Sequence, residues 1–370
     1  MKISILVHNL SANSIGRTYP LAKILEKHYQ IEVIGLLPKG KEIYFPYKDE
    51  FNYKPIIIDS PQLSVSKIYS NMNKITRQIT GNVVYAFKPL LATFGVGLYE
   101  KIKTRKKLVL DIEDWDSCAF DNTPLRYKYI YIKDMQQVFS SFLTHYVKFA
   151  DAVTTGSTFL QNKYFGTIVR TAVDCHHFNP NKFQGDLFKA KHGLSDKRII
   201  MFLGLPQLHK GVDFLAEALH AMNDKNLTLV LFGKNDNLLK LRKKYNNLIT
   251  LMDRIPFSQV PEYLAGADLI VIPQDDSHYA QAQMPAKLFH SMAMGKPIIA
   301  SSVSDIPEAL KDCGWLVKPN DMNGLIGAIK SALENPTLAA EYGVNARKRC
   351  IERYSYETVE KVLLKVFQAI

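Results

Sequence analysis

No run of the roughly 18 apolar residues that a membrane-crossing helix requires occurs anywhere in the sequence. The N-terminal apolar piece Ile3–Val7 is too short for a secretory signal, so the chain reads as cytoplasmic. Cysteine is scarce: Cys118, Cys175, Cys313 and Cys350 lie far apart without a C-x-x-C pair, which argues for buried thiols and against a zinc site or a disulfide framework. A G-x-G-x-x-G fingerprint is missing. So are zinc-finger spacing, an RNP-like aromatic motif and a long basic tail, and nucleic acid is not an expected partner. One D-x-D pair, Asp114 and Asp116, is too little to assign a metal site, and no cofactor is expected.

What is present suits two domains: 370 residues, of which 47 % are apolar, exceed one typical core. Lysine and arginine number 47 against 35 acids, a net charge of +12. Such an excess attracts something negative. Without nucleic-acid motifs, the candidates are an anionic membrane surface, with the protein peripheral at its inner face, or a phosphate-bearing substrate.

The chain opens as strand Lys2–Val7, polar loop His8–Ser14, Gly16, helix Thr18–His28 and strand Ile31–Leu37, the start of a parallel α/β unit. Ligands of such units bind beyond the carboxyl ends of the strands, so Gly16 is a candidate for close backbone approach, or simply a turn. Further strands are expected at Pro55–Asp59, Asn82–Ala86 and Lys107–Ile112, the last running into Glu113-Asp114-Trp115-Asp116. Glu113 and Asp114 are placed where a catalytic or orienting carboxylate would sit, or where a helix cap would. Arg126–Ala150, long, aromatic and basic, reads as helical for much of its length, either interfacial to a membrane or a core helix with solvated lysines. Strands Asp151–Thr155 and Thr167–Ala172 close this half, and a polar, turn-rich stretch near 175–195 reads as linker. A second series follows with strands Arg198–Leu203, Leu227–Phe232, Leu248–Met252, Ala267–Ile272, Ile298–Ala300 and Gly314–Val317, and the chain ends in the amphipathic helix Tyr356–Ile370.

The stretch Gln281–Ser302 is the most informative. Pro285 suits a first helical position, Ala286–Met294 can all be helical, and Gly295-Lys296-Pro297 is a stop signal. A helix N-terminus offers unpaired N–H groups and the positive end of its dipole. Lys287 in the first turn is unfavourable there unless an anion binds, and His290 lies on the same face. An ordinary surface lysine and a core-edge histidine are the plainer alternative.

In combination, the motifs of the second half resemble the donor-binding domain of glycosyltransferase family four. Phe202-Leu203-Gly204 with His209-Lys210-Gly211 resembles its strand-end glycine followed by Lys-Gly. Val260-Pro261-Glu262-Tyr263-Leu264, Ala267-Asp268 and Ile272-Pro273 resemble its next run, and Pro285-Ala286-Lys287-Leu288-Phe289 through Ala300 resembles its signature helix. Val173-Asp174 ahead of Phe178-Asn179-Pro180 resembles its linker. The resemblance is clear over about 170–370 and weak before it. It implies a GT-B fold, two Rossmann-like α/β/α domains with parallel sheets facing a central cleft: an acceptor domain over 1–175, a nucleotide-sugar domain over 176–355, and a C-terminal helix over 356–370 packing back on the first.

By the same resemblance, Lys210 and Lys287 hold the diphosphate of a nucleotide-sugar. The candidate donor-binding set is Gly16, Gly204, Gln207, Gln281, Gln283, Met284, Leu288 and His290 with Lys287, and the candidate catalytic set is the two lysines with Glu113 and Asp114, chosen for their place at a strand end. The implied reaction is metal-independent, retaining transfer to a glycan or lipid-linked acceptor in envelope-glycan, lipopolysaccharide or glycolipid synthesis. The chain departs from the pattern at three places. The two usual acidic positions carry Ala282 and His290; Leu205, with Gln207 nearby, stands where an arginine is common; and Glu113 stands where a histidine often follows the strand. These departures motivate an alternative, a non-catalytic member that binds nucleotide or glycan as a regulator or assembly partner.

Overall fold

The computed structural model describes residues 1–59, 65–133, 135–204 and 206–370. They divide into two compact units, Met1–Thr171 with Val359–Ile370, and Ala172–Thr358. Each is built on its own parallel sheet.

The first sheet has seven strands: β1 (Lys2–Val7), β2 (Gln30–Pro38), β3 (Tyr53–Ile58), β4 (Val83–Phe87), β5 (Lys107–Ile112), β6 (Ala152–Thr155) and β7 (Thr167–Ile168), in the order β3-β2-β1-β4-β5-β6-β7. The second has six: β8 (Arg198–Met201), β9 (Leu227–Phe232), β10 (Ile249–Met252), β11 (Leu269–Ile272), β12 (Ile298–Ser301) and β13 (Trp315–Val317), in the order β10-β9-β8-β11-β12-β13. Strands buried on both faces must be apolar on both, which is why β9 reads LTLVLF and all six of its residues are buried. In both sheets the order reverses after the first strand of the series, between β1 and β4 and between β8 and β11. That reversal opens a crevice at the carboxyl ends of the strands.

In the second unit the core joins Ile200, Leu229 and Val271 of the sheet to Leu215 and Leu219 of the helix Val212–Met222, and to Leu325 and Ile329 of the helix Met322–Glu334. In the first unit, Phe367 from the terminal helix Tyr356–Gln368 meets Tyr85 edge-on at 5.2 Å, and Glu360 pairs with Lys27 at 3.1 Å. Beneath the sheet reversal of that unit, Arg17 makes a buried two-pronged ion pair with Asp111 at 2.9 and 3.0 Å.

Four local expectations are sharpened or corrected. The aromatic stretch after Pro124 is helical for much of its length, but in pieces: a 3-10 segment Leu125–Lys133, a helix Met135–Thr144 and a 3-10 turn Val147–Phe149, with Asp134 outside the described residues. Alternating tyrosine and isoleucine lose side-chain freedom in a helix. Thr144 Oγ1 then donates to the Ser141 carbonyl at 2.7 Å, giving the helix end a side-chain partner. Gly16 lies inside the helix Ile15–Leu25 instead of the loop before it. Strand β7 stops at Ile168, well short of Ala172. Pro285 is the extended residue before the helix Ala286–Ala293, not its first member.

That helix ends in a full double-bonded cap. Gly295, at φ +61°, donates to the Met292 carbonyl (3.0 Å) and Lys296 to that of Ser291 (3.1 Å). The long helix Pro336–Tyr354 passes directly over this turn at Gly343, where an added Cβ would stand 2.1 Å from the Gly295 carbonyl oxygen. Gly343→Ala is expected to destabilise the second unit by about 1–3 kcal/mol, the usual cost of overpacking. Urea denaturation of wild type and variant measures it, and equal midpoints would show that the contact relaxes freely.

Candidate functional site

The loops leaving β8 and β11 flank the order reversal of the second sheet. They are fastened together. The Asp275 N–H donates to the His209 carbonyl at 3.0 Å, and Gly211 approaches so closely that a Cβ there would lie 2.0 Å from the Pro273 carbonyl oxygen. The 3-10 turn Leu208–Lys210 is thereby held on the end of β11.

The helix Ala286–Ala293 begins without a side-chain cap. Leu288 N–H is taken by the Pro285 carbonyl at 3.0 Å, which leaves Ala286 and Lys287 as the uncapped donors of its first turn among the described residues. Lys287 Nζ stands 3.3 Å from the centre of the Phe202 ring. Its terminal atoms lie 3.8 Å from where a Cβ on Gly204 would be, so the glycine backbone passes beside the ammonium. Gly204 has φ +99°, a left-handed conformation that costs glycine nothing. Burial first, and then the neighbouring Lys210, push the Lys287 ammonium well below the ordinary lysine range. Among the described residues no carboxylate pairs with it.

Three residues on, His290 lies flat against Phe178, with ring centres 4.7 Å apart and planes 9° from parallel, and Phe257 meets it at 5.5 Å. Burial, with a smaller contribution from His177, lowers its pKa to about 4. The imidazole is therefore neutral at physiological pH. Gln274, two residues beyond β11, was not anticipated from sequence: it is buried, and among the described residues neither its amide oxygen nor its nitrogen has a hydrogen-bond partner. Such an amide costs free energy until something bonds it. A polar residue directly after a strand-end proline was the available signal.

The remaining predicted donor residues divide. Gln281 accepts the Ser304 N–H at 3.1 Å. Gln283 follows the short helix His278–Ala282 and donates its N–H to the Ala280 carbonyl at 3.3 Å. The Gln207 carbonyl accepts the Lys210 N–H at 2.9 Å, and Leu205 lies outside the described residues. Leu288 has its side chain fully buried in the core, and its N–H donates to the Pro285 carbonyl. Met284 and Ala282 are buried as well, so an acid at 282 would stand in an apolar setting. In the first unit, Gly16 would place a Cβ 3.1 Å from Asn13 Oδ1, a contact with its own loop.

The first unit has a cluster of opposite character at its own order reversal. Lys88, just past β4 and at φ +73°, donates to Asp114 at 2.6 Å and Asp116 at 2.9 Å, with Glu113 at 3.7 Å. Against the cost of burial, these acids hold Lys88 protonated, while burial raises the Glu113 pKa to about 8 despite the lysine beside it. His8, past the end of β1, is lowered to about 4 by burial and by Lys88, and its Nδ1 has no partner. Sequence reasoning found the acids and missed Lys88 and His8. Their common signal is position, each being the first residue after a buried parallel strand. Among the described residues, no three His, Cys, Asp or Glu side chains are grouped to hold a metal ion.

Comparison with known proteins agrees with this architecture. Residues 197–335 match the family described as glycosyl transferases group 1. The chain is 27 % identical over 202 residues to the MMP alpha-(1->4)-mannosyltransferase of Mycolicibacterium hassiacum, covering 52 % of this chain and 48 % of that one. It is 22 % identical over 368 residues to the uncharacterized glycosyltransferase MJ1069 of Methanocaldococcus jannaschii, covering 93 % and 91 %. Its alignments thus span about half the length of the first-named relative and nearly all of the second. Among solved structures, Anabaena HepE in complex with UDP-glucose superposes with a TM-score of 0.77 at 15 % identity over the whole of both chains. The fold is GT-B.

A depressed histidine pKa has a stability consequence. His290 takes up a proton in the unfolded chain near pH 6.5 but in the folded one only near pH 4. Its contribution is therefore complete above pH 6.5 and is lost as pH falls through this window, by up to about 3 kcal/mol. His290→Phe, which keeps the stack on Phe178, is expected to flatten that slope in chemical denaturation followed from pH 7 to pH 4. Equal slopes in the two proteins would place the imidazole in water.

Proposed function

We propose that this chain is a glycosyltransferase that moves a sugar from a nucleotide diphosphate-sugar to an acceptor hydroxyl of a glycan or lipid-linked glycan, with retention at the anomeric carbon and without a metal. Lys287 carries the reading. It is a desolvated lysine at an uncapped helix N-terminus, within the field of Lys210, and among the described residues no acid pairs with it. Two lysines in that setting suit a diphosphate, whose oxygens would take the Ala286 and Lys287 N–H groups and both ammonium ions. When the sugar departs, negative charge grows on the diphosphate, and cations already in place stabilise it without reorganising.

The left-handed backbone at Gly204 lets the chain run beside the same anion. The neutral His290 ring can both donate to and accept from a hydroxyl, and so can replace a carboxylate at ribose. The acceptor belongs to the first unit, where Glu113 holds a proton up to about pH 8 and Lys88 fixes Asp114 as a hydroxyl acceptor. The similarity of residues 197–335 to glycosyl transferases group 1 supports the donor half of this assignment.

One observation favours a second reading, a nucleotide- or glycan-binding regulator: neither Ala282 nor His290 supplies a carboxylate. Turnover separates the two. With a panel of nucleotide-sugars and glycan acceptors, wild type is expected to transfer or hydrolyse at least one donor, and Lys287→Ala or Lys210→Ala to lower kcat by about a hundredfold or more. Nucleotide binding without turnover on any donor favours the regulator. No turnover, with nucleotide binding indifferent to both substitutions, removes the site as well.

A further inference from the structure

We infer that the exposed residues of 125–131 and 135–149 form a docking surface for an anionic lipid bilayer. Once this segment is broken into two 3-10 stretches around a short helix, its aromatic residues do not serve as a core stripe. Phe142 is 57 % exposed and Phe149 51 %. With Tyr146 they form one line of rings, 5.0 Å from Phe142 to Tyr146 and 6.0 Å from Tyr146 to Phe149. Leu125, Tyr129 and Ile130 are exposed on the 3-10 stretch ahead of the helix. Neighbouring exposed apolar side chains on this scale mark an interaction face.

The charge on this face identifies the occupant. Arg126 stands 4.7 Å over Tyr127, Lys128 4.2 Å over Phe120 and Lys148 5.5 Å over Phe149. Among the described residues none of the three has a carboxylate partner. The acid that stands nearest in sequence on the N-terminal side, Asp121, is already committed to Trp115, Ser117 and Ser141, each at 2.6 Å. Between 125 and 149 the sequence contains one acid, Asp134, against Arg126, Lys128, Lys133 and Lys148.

Rings seated beside unneutralised cations match the headgroup zone of a bilayer, where aromatic rings rest at the boundary and lysine and arginine meet anionic phosphates. A second copy of the same face fits poorly, because pairing would oppose like charges. Among the described residues no helix is long and apolar enough to cross a membrane, so the contact is with the surface. This inference is independent of the proposed chemistry, because it concerns binding alone.

The test uses the full chain and sedimentation with two kinds of vesicle, phosphatidylcholine alone and phosphatidylcholine mixed with phosphatidylglycerol. Binding is expected to the mixed vesicles only, to weaken as salt rises, and to fall about fivefold for each cation removed in Arg126→Gln, Lys128→Gln and Lys148→Gln. The triple variant Phe142→Ser, Tyr146→Ser, Phe149→Ser is expected to lose it while keeping the wild-type circular-dichroism melt, since all three side chains are exposed. Equal binding to both vesicle types, no binding, or binding that survives both sets of substitutions overturns the inference. So does self-association in gel filtration that the aromatic variant abolishes, which would make the face a contact between copies of this chain.

Discussion

Everything at the candidate site depends on holding one lysine amine dry, with no carboxylate among the described residues to favour its charged form. Holding an unpaired charge there costs several kcal/mol, and the contact of Lys287 with the face of Phe202 returns about two of them. The remainder has to be borne by the rigidity of the frame. The helix carrying Lys287 is stopped by the double cap at Gly295 and pinned there by Gly343. The loop carrying Lys210 is fastened to the end of β11 through Gly211 and Asp275. Neither lysine can withdraw cheaply. On the proposed reading, an anion beside Lys287 would favour the protonated amine and so offset this cost.

The first unit makes the opposite arrangement at the equivalent place in its sheet. There a single lysine stands among three carboxylates and satisfies two of them directly. The lysine of that cluster is already committed to Asp114 and Asp116, whereas among the described residues no carboxylate pairs with Lys287, and this difference supports the proposed division into a donor half and an acceptor half. That division agrees with the family match of residues 197–335, which falls wholly in the second unit, but does not rest on it.

Most of the fold was legible because parallel strands buried on both faces declare themselves as short apolar runs, and because loop composition marks where they end. Lys2–Val7, Lys107–Ile112 and Leu227–Phe232 are bounded in the structure as the pattern suggests. The reading failed where composition and conformation part. Tyrosine and isoleucine between 126 and 132 satisfy a helical pattern but not a helical backbone. Site residues were legible where a local rule was broken, as with a lysine in a helical first turn. Lys88 breaks no such rule: its importance comes from a left-handed backbone and from acids some 25 residues away that only the sheet brings to it. Gln274 was hidden for the same reason, since an amide without a partner is a property of its surroundings.

His290 shows how one substitution can be both a loss and a fit. A carboxylate at this position would have to ionise against the faces of Phe178 and Phe257, and desolvation would raise its pKa toward neutrality. A neutral imidazole avoids that cost, stacks on the phenylalanine ring and still offers a ring nitrogen to a hydroxyl. The aromatic wall and the histidine therefore belong together. A neutral ring at 290 also adds no negative charge on the helix face that carries Lys287, which suits the proposed diphosphate assignment.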